Sequence, residues 1–327
     1  MTRSPIKPDL VVTLADAQAI VDRIESGVTV EGITELHGGE ISAIYDARLG
    51  GHRPSLVIKV YPEQFQWKLG KEVAIYRRLA EIRGLPVPRV IWHDESKELL
   101  RLGFVVMTRL DGEPLRQIEA SLAGGELADV YAQAGRALRR FHDLRMEAFG
   151  YLVAEGVKDA HASNESYMRF QFGKKLREFR DRGGDARRAE RMERYVAAKA
   201  SLLSACTWPV FCHDDVHAGN LIVLRAPDGA WRLTGVVDVE NAVAGDPLLD
   251  LAKAILFGAG DSRAKREGLL AGYGPIARAD WEETIDLYRL YHALETWDWF
   301  AQIGAVPGTW VIAEIDRITA PPHPAPR

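Results

Sequence analysis

One polar loop between two short apolar segments constrains the fold of this 327-residue chain more than any other feature. The loop reads His-Asp-Asp-Val-His-Ala-Gly-Asn over residues 213–220, and apolar runs precede it at 208–212 and follow it at 221–224. Short apolar runs of this kind predict buried strands. Turn residues at 227–230 and a second run at 231–237 then predict a hairpin that delivers Asp238 beside the loop.

Three polar residues of this hairpin, Asp215, Asn220 and Asp238, have the types and the order that phosphoryl transfer from Mg-ATP requires. In such a transfer, one carboxylate takes the proton of the acceptor hydroxyl, while an Asn and an Asp hold magnesium. Magnesium prefers hard oxygen ligands and keeps several waters, so one carboxylate and one amide oxygen suffice. We therefore predict Asp215 as the base and Asn220 and Asp238 as the metal ligands.

The loop pattern His-x-Asp-x-His-x-x-Asn, Val-Asp-x-Glu at 237–240 and Asp-Pro-Leu-Leu-Asp-Leu-Ala at 246–252 resemble the aminoglycoside phosphotransferase family, small-molecule relatives of the protein kinases. The resemblance implies an α+β, bilobal protein-kinase-like fold, with a small β-rich N-terminal lobe and a larger, mostly helical C-terminal lobe. One position departs from the family, which usually has glycine where this chain has Asp214. Glycine tolerates backbone angles that Asp adopts less easily, although Asp does visit the left-handed region.

The other half of a nucleotide site is recognisable upstream. Lys59 stands alone in an apolar run, like the kinase lysine that pairs the α- and β-phosphates. The apolar face of the next segment predicts a helix that brings Glu72 to Lys59 as an ion pair. The segment 36–45 takes the place of the glycine-rich loop, and its residues expected to reach phosphate oxygens are Gly38, Gly39 and Ser42.

The resemblance also implies a hinge that binds adenine. Backbone groups near Met107 and Arg109 are expected to form hydrogen bonds with the adenine edge. The faces of the adenine ring are expected to pack against Val57, Ile222 and Val237. The alternative role for these three apolar residues is packing in the core. The expected division is an N-terminal ATP-binding lobe at 1–108, a hinge at 109–114, a catalytic and acceptor-binding lobe at 115–319, and a proline-rich disordered tail at 320–327.

Further residues near the loop have expected roles. His217 occupies the position where protein kinases carry a lysine near the phosphate. It is expected either to contact phosphate or to stabilise the loop. His213 is expected to shape the loop, and Asp250, at a helix start, to bond its backbone. His142, at the end of a helix predicted around 126–144, is expected to be a structural anchor.

Two segments are expected to wall the acceptor pocket, and they carry opposite charge. A helical insertion at about 165–205 is mainly basic, whereas the region of the helix predicted at 281–303 is mainly acidic. A polycationic aminoglycoside would favour the acidic wall, with Glu295 and Asp298 as candidate contacts. A solvated helix face is the alternative explanation for both carboxylates.

Composition narrows the remaining possibilities. The net charge of −4 does not predict the basic surface with which proteins bind nucleic acid, so nucleic acid is not expected as a partner. Two cysteines are too few for a disulfide framework. Since the chain has no run of about eighteen apolar residues, we expect no membrane span, no secretion and a cytoplasmic location.

These observations predict transfer of the γ-phosphoryl group of ATP, with Mg²⁺, to a hydroxyl of a small molecule. An aminoglycoside or similar antibiotic, hence a resistance enzyme, is the leading expectation. A metabolic kinase of the homoserine, choline or sugar type is the alternative, and a nucleotide-binding pseudokinase is disfavoured because the base and metal residues are intact. GTP in place of ATP stays open, as does a monomer against a homodimer.

Overall fold

The N-terminal region of the protein is built on one antiparallel sheet. The structure, a computed structural model, describes residues 7–36, 41–305 and 308–320. The elements of the N-terminal region are α1 (Leu14–Ile24), β1 (Val30–Leu36), β2 (Ala43–Leu49), β3 (Leu56–Val60), α2 (Trp67–Leu79), β4 (Val90–Asp94) and β5 (Phe104–Thr108). The five strands pair in the order β1-β2-β3-β5-β4.

The C-terminal region is mostly helical, with short strands at the loop predicted to carry the chemistry. Its elements are β6 (Glu113–Pro114), α3 (Leu115–Ile118), α4 (Gly124–His142), β7 (Phe149–Val153), β8 (Gly156–His161), α5 (Asn164–Asp181), α6 (Ala186–Ala198), β9 (Val210–Cys212), β10 (Leu221–Arg225), β11 (Trp231–Val236), β12 (Val243–Gly245), α7 (Pro247–Lys253), α8 (Arg263–Tyr273), α9 (Trp281–Gln302) and α10 (Thr309–Thr319). One sheet has the order β11-β10-β6 and another the order β8-β7-β12-β9.

Strand β5 separates two hydrophobic cores, because alternate side chains of a strand point to opposite faces. Phe104 and Val106 belong to a core that β1 to β3 share with α1. Val105 and Met107 belong to a second core, which extends through α2 into the C-terminal region. The second core therefore fixes α2, the helix that carries Glu72, against the C-terminal region.

The predicted fold class is confirmed, and so are most of the elements used to place the site. The hairpin of β10 and β11, the helical insertion (α5 and α6) and the long helix α9 lie where the sequence predicted them. The sequence also predicts an amphipathic helix over residues 10–28, and α1 is shorter, because a capping box at Thr13 starts it and the backbone at Glu25 is extended. The hairpin of β7 and β8 and helices α8 and α10 were not predicted.

Two sequence predictions lie outside the described residues, namely Gly38 and Gly39 in the glycine-rich loop and all but the first residue of the tail. In the part of the chain that the structure describes, no helix has the length and apolar character needed to cross a bilayer.

Candidate active site

Asp250, in the first turn of α7, holds the loop at 213–220 by its backbone. Its Oδ2 accepts the N–H of His213 at 2.7 Å, and its Oδ1 accepts the N–H of Asp214 at 3.0 Å. Burial would raise the pKa of this carboxyl, but hydrogen bonds from His142 and from the His213 backbone outweigh it and lower the pKa. Asp250 is therefore a fixed anion around which the loop is folded.

Two buried histidines lie behind the loop. His142 donates or accepts at both ring nitrogens, with Nε2 3.1 Å from Asp250 Oδ2 and Nδ1 2.8 Å from Tyr273 Oη. The ring of His213 is fully buried and lies 5.7 Å from the ring of Phe141, centroid to centroid. Burial lowers the pKa of His213, which favours the neutral ring. Both side chains pack in the interior behind the loop, and a loop-shaping role for His213 stays a prediction.

The Asp215 carboxylate is held by two amide groups on one of its oxygens. Asn220 Nδ2 lies 3.1 Å from Asp215 Oδ2, and Asn241 Nδ2 lies 3.3 Å from the same oxygen. The other oxygen, Oδ1, is 3.7 Å from His217 Nε2. Asn241 was missed from the sequence, because only the fold brings the residues after Asp238 back to the loop.

The hairpin register places Asp238 next to the loop. The Val237 N–H donates to the Asn220 carbonyl at 2.9 Å, immediately beyond the last pair of the β10–β11 ladder. Asp238 adopts a left-handed backbone with φ of 70°, and its N–H donates to Tyr76 Oη on α2 at 2.8 Å. Asn220 and Asp238, the two predicted metal ligands, are therefore neighbours at one end of the hairpin.

Lys59 and Glu72 meet as the sequence predicts, and Asp238 joins them. Lys59 Nζ lies 2.8 Å from Glu72 Oε2, 3.0 Å from Asp238 Oδ1 and 3.6 Å from Glu240 Oε2. Burial alone would lower the pKa of Lys59, but the three carboxylates outweigh it and hold the pKa well above the ordinary value. The lysine is thus a permanent cation that connects the two regions of the protein.

Two further lysines, both from α2, contact the segment 238–242. Lys68 Nζ lies 2.8 Å from Glu240 Oε1, and the buried Lys71 donates to the Ala242 carbonyl at 2.9 Å. These contacts were not predicted. The available signal was the spacing of Lys68, Lys71 and Glu72, which places all three on one face of a helix.

His217 faces Arg116 across the loop. Nδ1 of His217 accepts the N–H of Gly219 at 3.0 Å and lies 3.3 Å from Arg116 Nη2. The Arg116 N–H donates to the Ala218 carbonyl at 2.9 Å, which fixes the start of α3 against the loop. Arg116 could not be identified from the sequence, since it lies about a hundred residues before the loop.

The residues predicted to contact the nucleotide lie in both regions of the protein. Val57 pairs with Met107 between β3 and β5, and Ile222 lies in β10. The Arg109 N–H donates to the Ser55 carbonyl at 3.3 Å, and its guanidinium turns to the Leu110 carbonyl. Ser42 is buried at the start of β2, and Val237 is half-buried. Adenine and phosphate contacts at these positions stay predictions.

The two acidic candidates for acceptor binding already have cationic partners. Asp298 is buried, with Lys175 Nζ 2.8 Å from its Oδ2 and Arg182 Nε 2.8 Å from its Oδ1. Glu295 lies 3.0 Å from His292 Nδ1 and 3.9 Å from Lys253 Nζ. Although burial would raise the pKa of Glu295, the neighbouring cations lower it.

The donor set at Asn220 and Asp238 fits magnesium. The amide nitrogen of Asn220 is directed to Asp215, so the amide oxygen is the atom left for a metal. Asp238 supplies a carboxylate that is partly exposed to the cleft. One amide oxygen and one carboxylate are the hard ligands that Mg²⁺ takes from a protein when phosphates and waters complete its shell.

Comparison of the sequence with known proteins gives one family match over most of the chain. The model of the phosphotransferase enzyme family, APH, matches residues 32–287. The N-acetylmuramate/N-acetylglucosamine kinase of Caulobacter vibrioides is 38% identical over 85 residues. That match covers 26% of this chain and 23% of the relative, so the chain matches less than a quarter of that protein's length.

Solved structures of aminoglycoside phosphotransferases share the fold. A thermostable mutant of APH(4)-Ia in a ternary complex with ADP and hygromycin B has a TM-score of 0.70 at 17% identity, over 94% of this chain and 99% of that chain. APH(2'')-Ib bound to ADP has a TM-score of 0.64 at 16% identity, over 94% and 97%. The GDP and kanamycin complex of APH(2")-IIia has a TM-score of 0.65 at 12% identity, over 92% and 96%.

Proposed function

The chain belongs to the phosphotransferase enzyme family, and from that premise we propose that it transfers the γ-phosphoryl group of ATP to a hydroxyl of a small molecule. The observation that carries the proposal is the convergence of four predicted residues. Lys59 lies 3.0 Å from Asp238, and Asn220 lies 3.1 Å from Asp215. Loose phosphoryl-transfer transition states are stabilised mainly by positioning and charge, which is what such a set supplies.

Asp215 is the proposed base. Because Asn220 and Asn241 both donate to its Oδ2, that oxygen is fixed and Oδ1 is the one presented to an acceptor hydroxyl. A fixed carboxylate can orient the hydroxyl and accept its proton as the new O–P bond forms. The two amides therefore determine which oxygen does the chemistry.

Asn220 and Asp238 would hold Mg²⁺, which when bound neutralises charge on the phosphates. Lys59 would bind the α- and β-phosphates, because its ammonium stays charged at the inner end of the cleft. The ion pair with Glu72 at 2.8 Å fixes the direction of the lysine side chain before nucleotide arrives. Preformed positioning of this kind reduces the reorganisation needed during transfer.

For the acceptor, we propose a sugar-type alcohol that is uncharged or anionic. A polycation needs free carboxylates, whereas Asp298 and Glu295 are already paired with Lys175, Arg182, Lys253 and His292. The matched segment of the N-acetylmuramate/N-acetylglucosamine kinase supports the same class. Aminoglycosides stay the second candidate, since the APH(4)-Ia and APH(2")-IIia complexes contain hygromycin B and kanamycin.

The test is ADP release from Mg-ATP, and GDP release from Mg-GTP, with a panel of N-acetylated hexosamines, other sugars, choline, homoserine and aminoglycosides. We expect turnover with a sugar, and a loss of about 10³-fold in Asp215→Ala with nearly unchanged nucleotide affinity, since a positioned base contributes on the order of 10²–10⁴. Asp228→Ala is the matched control, because Asp228 lies in the turn of the same hairpin and pairs with Arg232. Equal turnover by Asp215→Ala and wild type would exclude the proposed mechanism.

A further inference from the structure

The loop position next to the base holds a neutral side chain where protein kinases carry a cationic lysine. The Gly219 N–H points at Nδ1 of His217 at 3.0 Å. A backbone N–H can only donate, so Nδ1 must be the unprotonated acceptor and the ring is not an imidazolium. The loop itself therefore supplies no positive charge at residue 217.

Arg116 places a cation at the same point from a different part of the chain. Its Nη2 lies 3.3 Å from His217 Nδ1, and its backbone N–H bonds the Ala218 carbonyl at 2.9 Å. The side chain is exposed, and among the described residues no carboxylate oxygen lies within 4 Å of the guanidinium. An arginine that is held at its backbone N–H and at one guanidinium nitrogen, but has no anionic partner, retains its capacity to bind an oxyanion.

Gly219 gives the guanidinium the space it occupies. A Cβ on Gly219 would lie 2.7 Å from Arg116 Nη2 and 2.9 Å from Arg116 Cζ, closer than such atoms approach. The planar group thus packs directly on the backbone of the loop at Gly219, the residue that precedes the predicted metal ligand Asn220. This contact is independent of the hydrogen bond to His217.

We propose that Arg116 binds an oxyanion in this site and supplies the positive charge that His217 does not. The proposal rests on the proposed function, because it assigns the cation to the same phosphoryl-transfer site. The oxyanion is either a phosphate group of the nucleotide or an acidic group of the acceptor, and both present the paired oxygens that a guanidinium binds with two parallel hydrogen bonds. A cation that meets the transferring group would lower the barrier to transfer.

The experiment compares Arg116→Met and Arg116→Lys with wild type, using nucleotide affinity from competition with a fluorescent ATP analogue, and kcat and KM for the acceptor. We expect Arg116→Met to lose at least about 10-fold in kcat/KM and Arg116→Lys to recover part of that loss. Weaker nucleotide binding or a lower kcat would assign the oxyanion to the nucleotide, whereas a higher acceptor KM alone would assign it to the acceptor. Arg101→Met, at an exposed position between β4 and β5, controls for net charge.

A second route tests the packing. Gly219→Ala should displace the guanidinium and reproduce the loss. Its Cβ would also lie 2.9 Å from His217 Cε1, so the part of its effect that persists in the Arg116→Met background measures the displacement of His217. Unchanged nucleotide affinity, kcat and KM in Arg116→Met would overturn the proposal for Arg116. If wild type turns over at the same time, the proposed phosphotransferase function is upheld. A wild-type protein that neither binds nucleotide nor turns over would instead refute the proposed function, and this proposal with it.

Discussion

Asp214 holds a backbone conformation that few L-residues adopt, with φ of 56°. The family usually has glycine here, and the structure shows why the loop needs the left-handed angle: the N–H groups of both His213 and Asp214 turn toward Asp250. The Asp214 side chain is used as well. Its Oδ2 lies 3.0 Å from Lys253 Nζ, and both groups are largely buried. A buried ion pair therefore offsets the backbone strain that glycine would avoid.

Replacing Asp214 by Gly should lower the free energy of unfolding by about 2 kcal/mol. Removing one partner of a buried pair costs on the order of 3–5 kcal/mol, and relief of the left-handed strain returns roughly 1–2 kcal/mol. Urea unfolding at pH 8 measures this with Asp214 ionised, since burial raises its pKa to about 6. If the pair is responsible, Asp214→Gly combined with Lys253→Met will cost less than the two single changes together. Additive costs would contradict it.

The residues that could be identified from the sequence are those whose roles follow from their spacing along the chain. Asp215, Asn220 and Asp238 are separated by fixed spacings within one hairpin, so their neighbourhood follows from turn and strand patterns. Asn241 and Arg116 reach the same loop only through the tertiary fold. Sequence spacing carries no information about such contacts, and this is why the cation of Arg116 beside His217 and the hydrogen bond from Asn241 to Asp215 were not predicted.

Helices α4 and α8 pack closely against each other at glycines. A Cβ on Gly135 of α4 would clash with the Leu269 carbonyl, and one on Gly272 of α8 would clash with the Ala132 carbonyl. This contact positions α4, whose last residue, His142, bonds Asp250. The sequence predicted α4 but not α8, because glycines lower intrinsic helix propensity and here they serve packing between helices.

Gly272→Ala should therefore destabilise the protein by about 3 kcal/mol, because the backbone atoms it would meet cannot move without separating the helices. Gly125→Ala in α4 is the matched control. Nothing lies within 4 Å of its Cβ, so we expect a change of at most about 1 kcal/mol, and toward greater stability. Chemical denaturation of the two variants measures the contrast. A similar small effect in both would show that the helices are not held at this distance.

At the scale of the whole molecule, three lysines from the N-terminal region bind one segment of the C-terminal region. Lys59 contacts Asp238, Lys68 contacts Glu240, and Lys71 contacts the Ala242 carbonyl. The first two have carboxylate partners, whereas Lys71 has a carbonyl and the ring of Tyr151, whose centroid is 3.6 Å from its Nζ. The two regions are thus joined beside Asp238, a predicted metal ligand, and of these three contacts Lys71 is the one most sensitive to proton concentration.

Burial, followed by the nearby charge of Lys68, lowers the pKa of Lys71 to about 6. An unfolded lysine titrates near 10.4, so between about pH 6 and 10 the unfolded chain binds a proton at this side chain that the folded protein does not. Stability should rise with pH across that window, by about 1.4 kcal/mol per pH unit from this group, and below pH 6 its contribution should be constant.

Lys71→Met removes the titrating group. Between pH 7 and 9, we therefore expect the free energy of unfolding of the variant to rise less steeply than that of wild type, by about 1.4 kcal/mol per pH unit. Urea unfolding at several pH values measures the two slopes. Lys97→Met, which removes a lysine from an exposed ion pair with Glu63, controls for the change in net charge. Parallel slopes for Lys71→Met and wild type would mean that Lys71 stays protonated in the folded protein and joins the two regions as a buried ammonium.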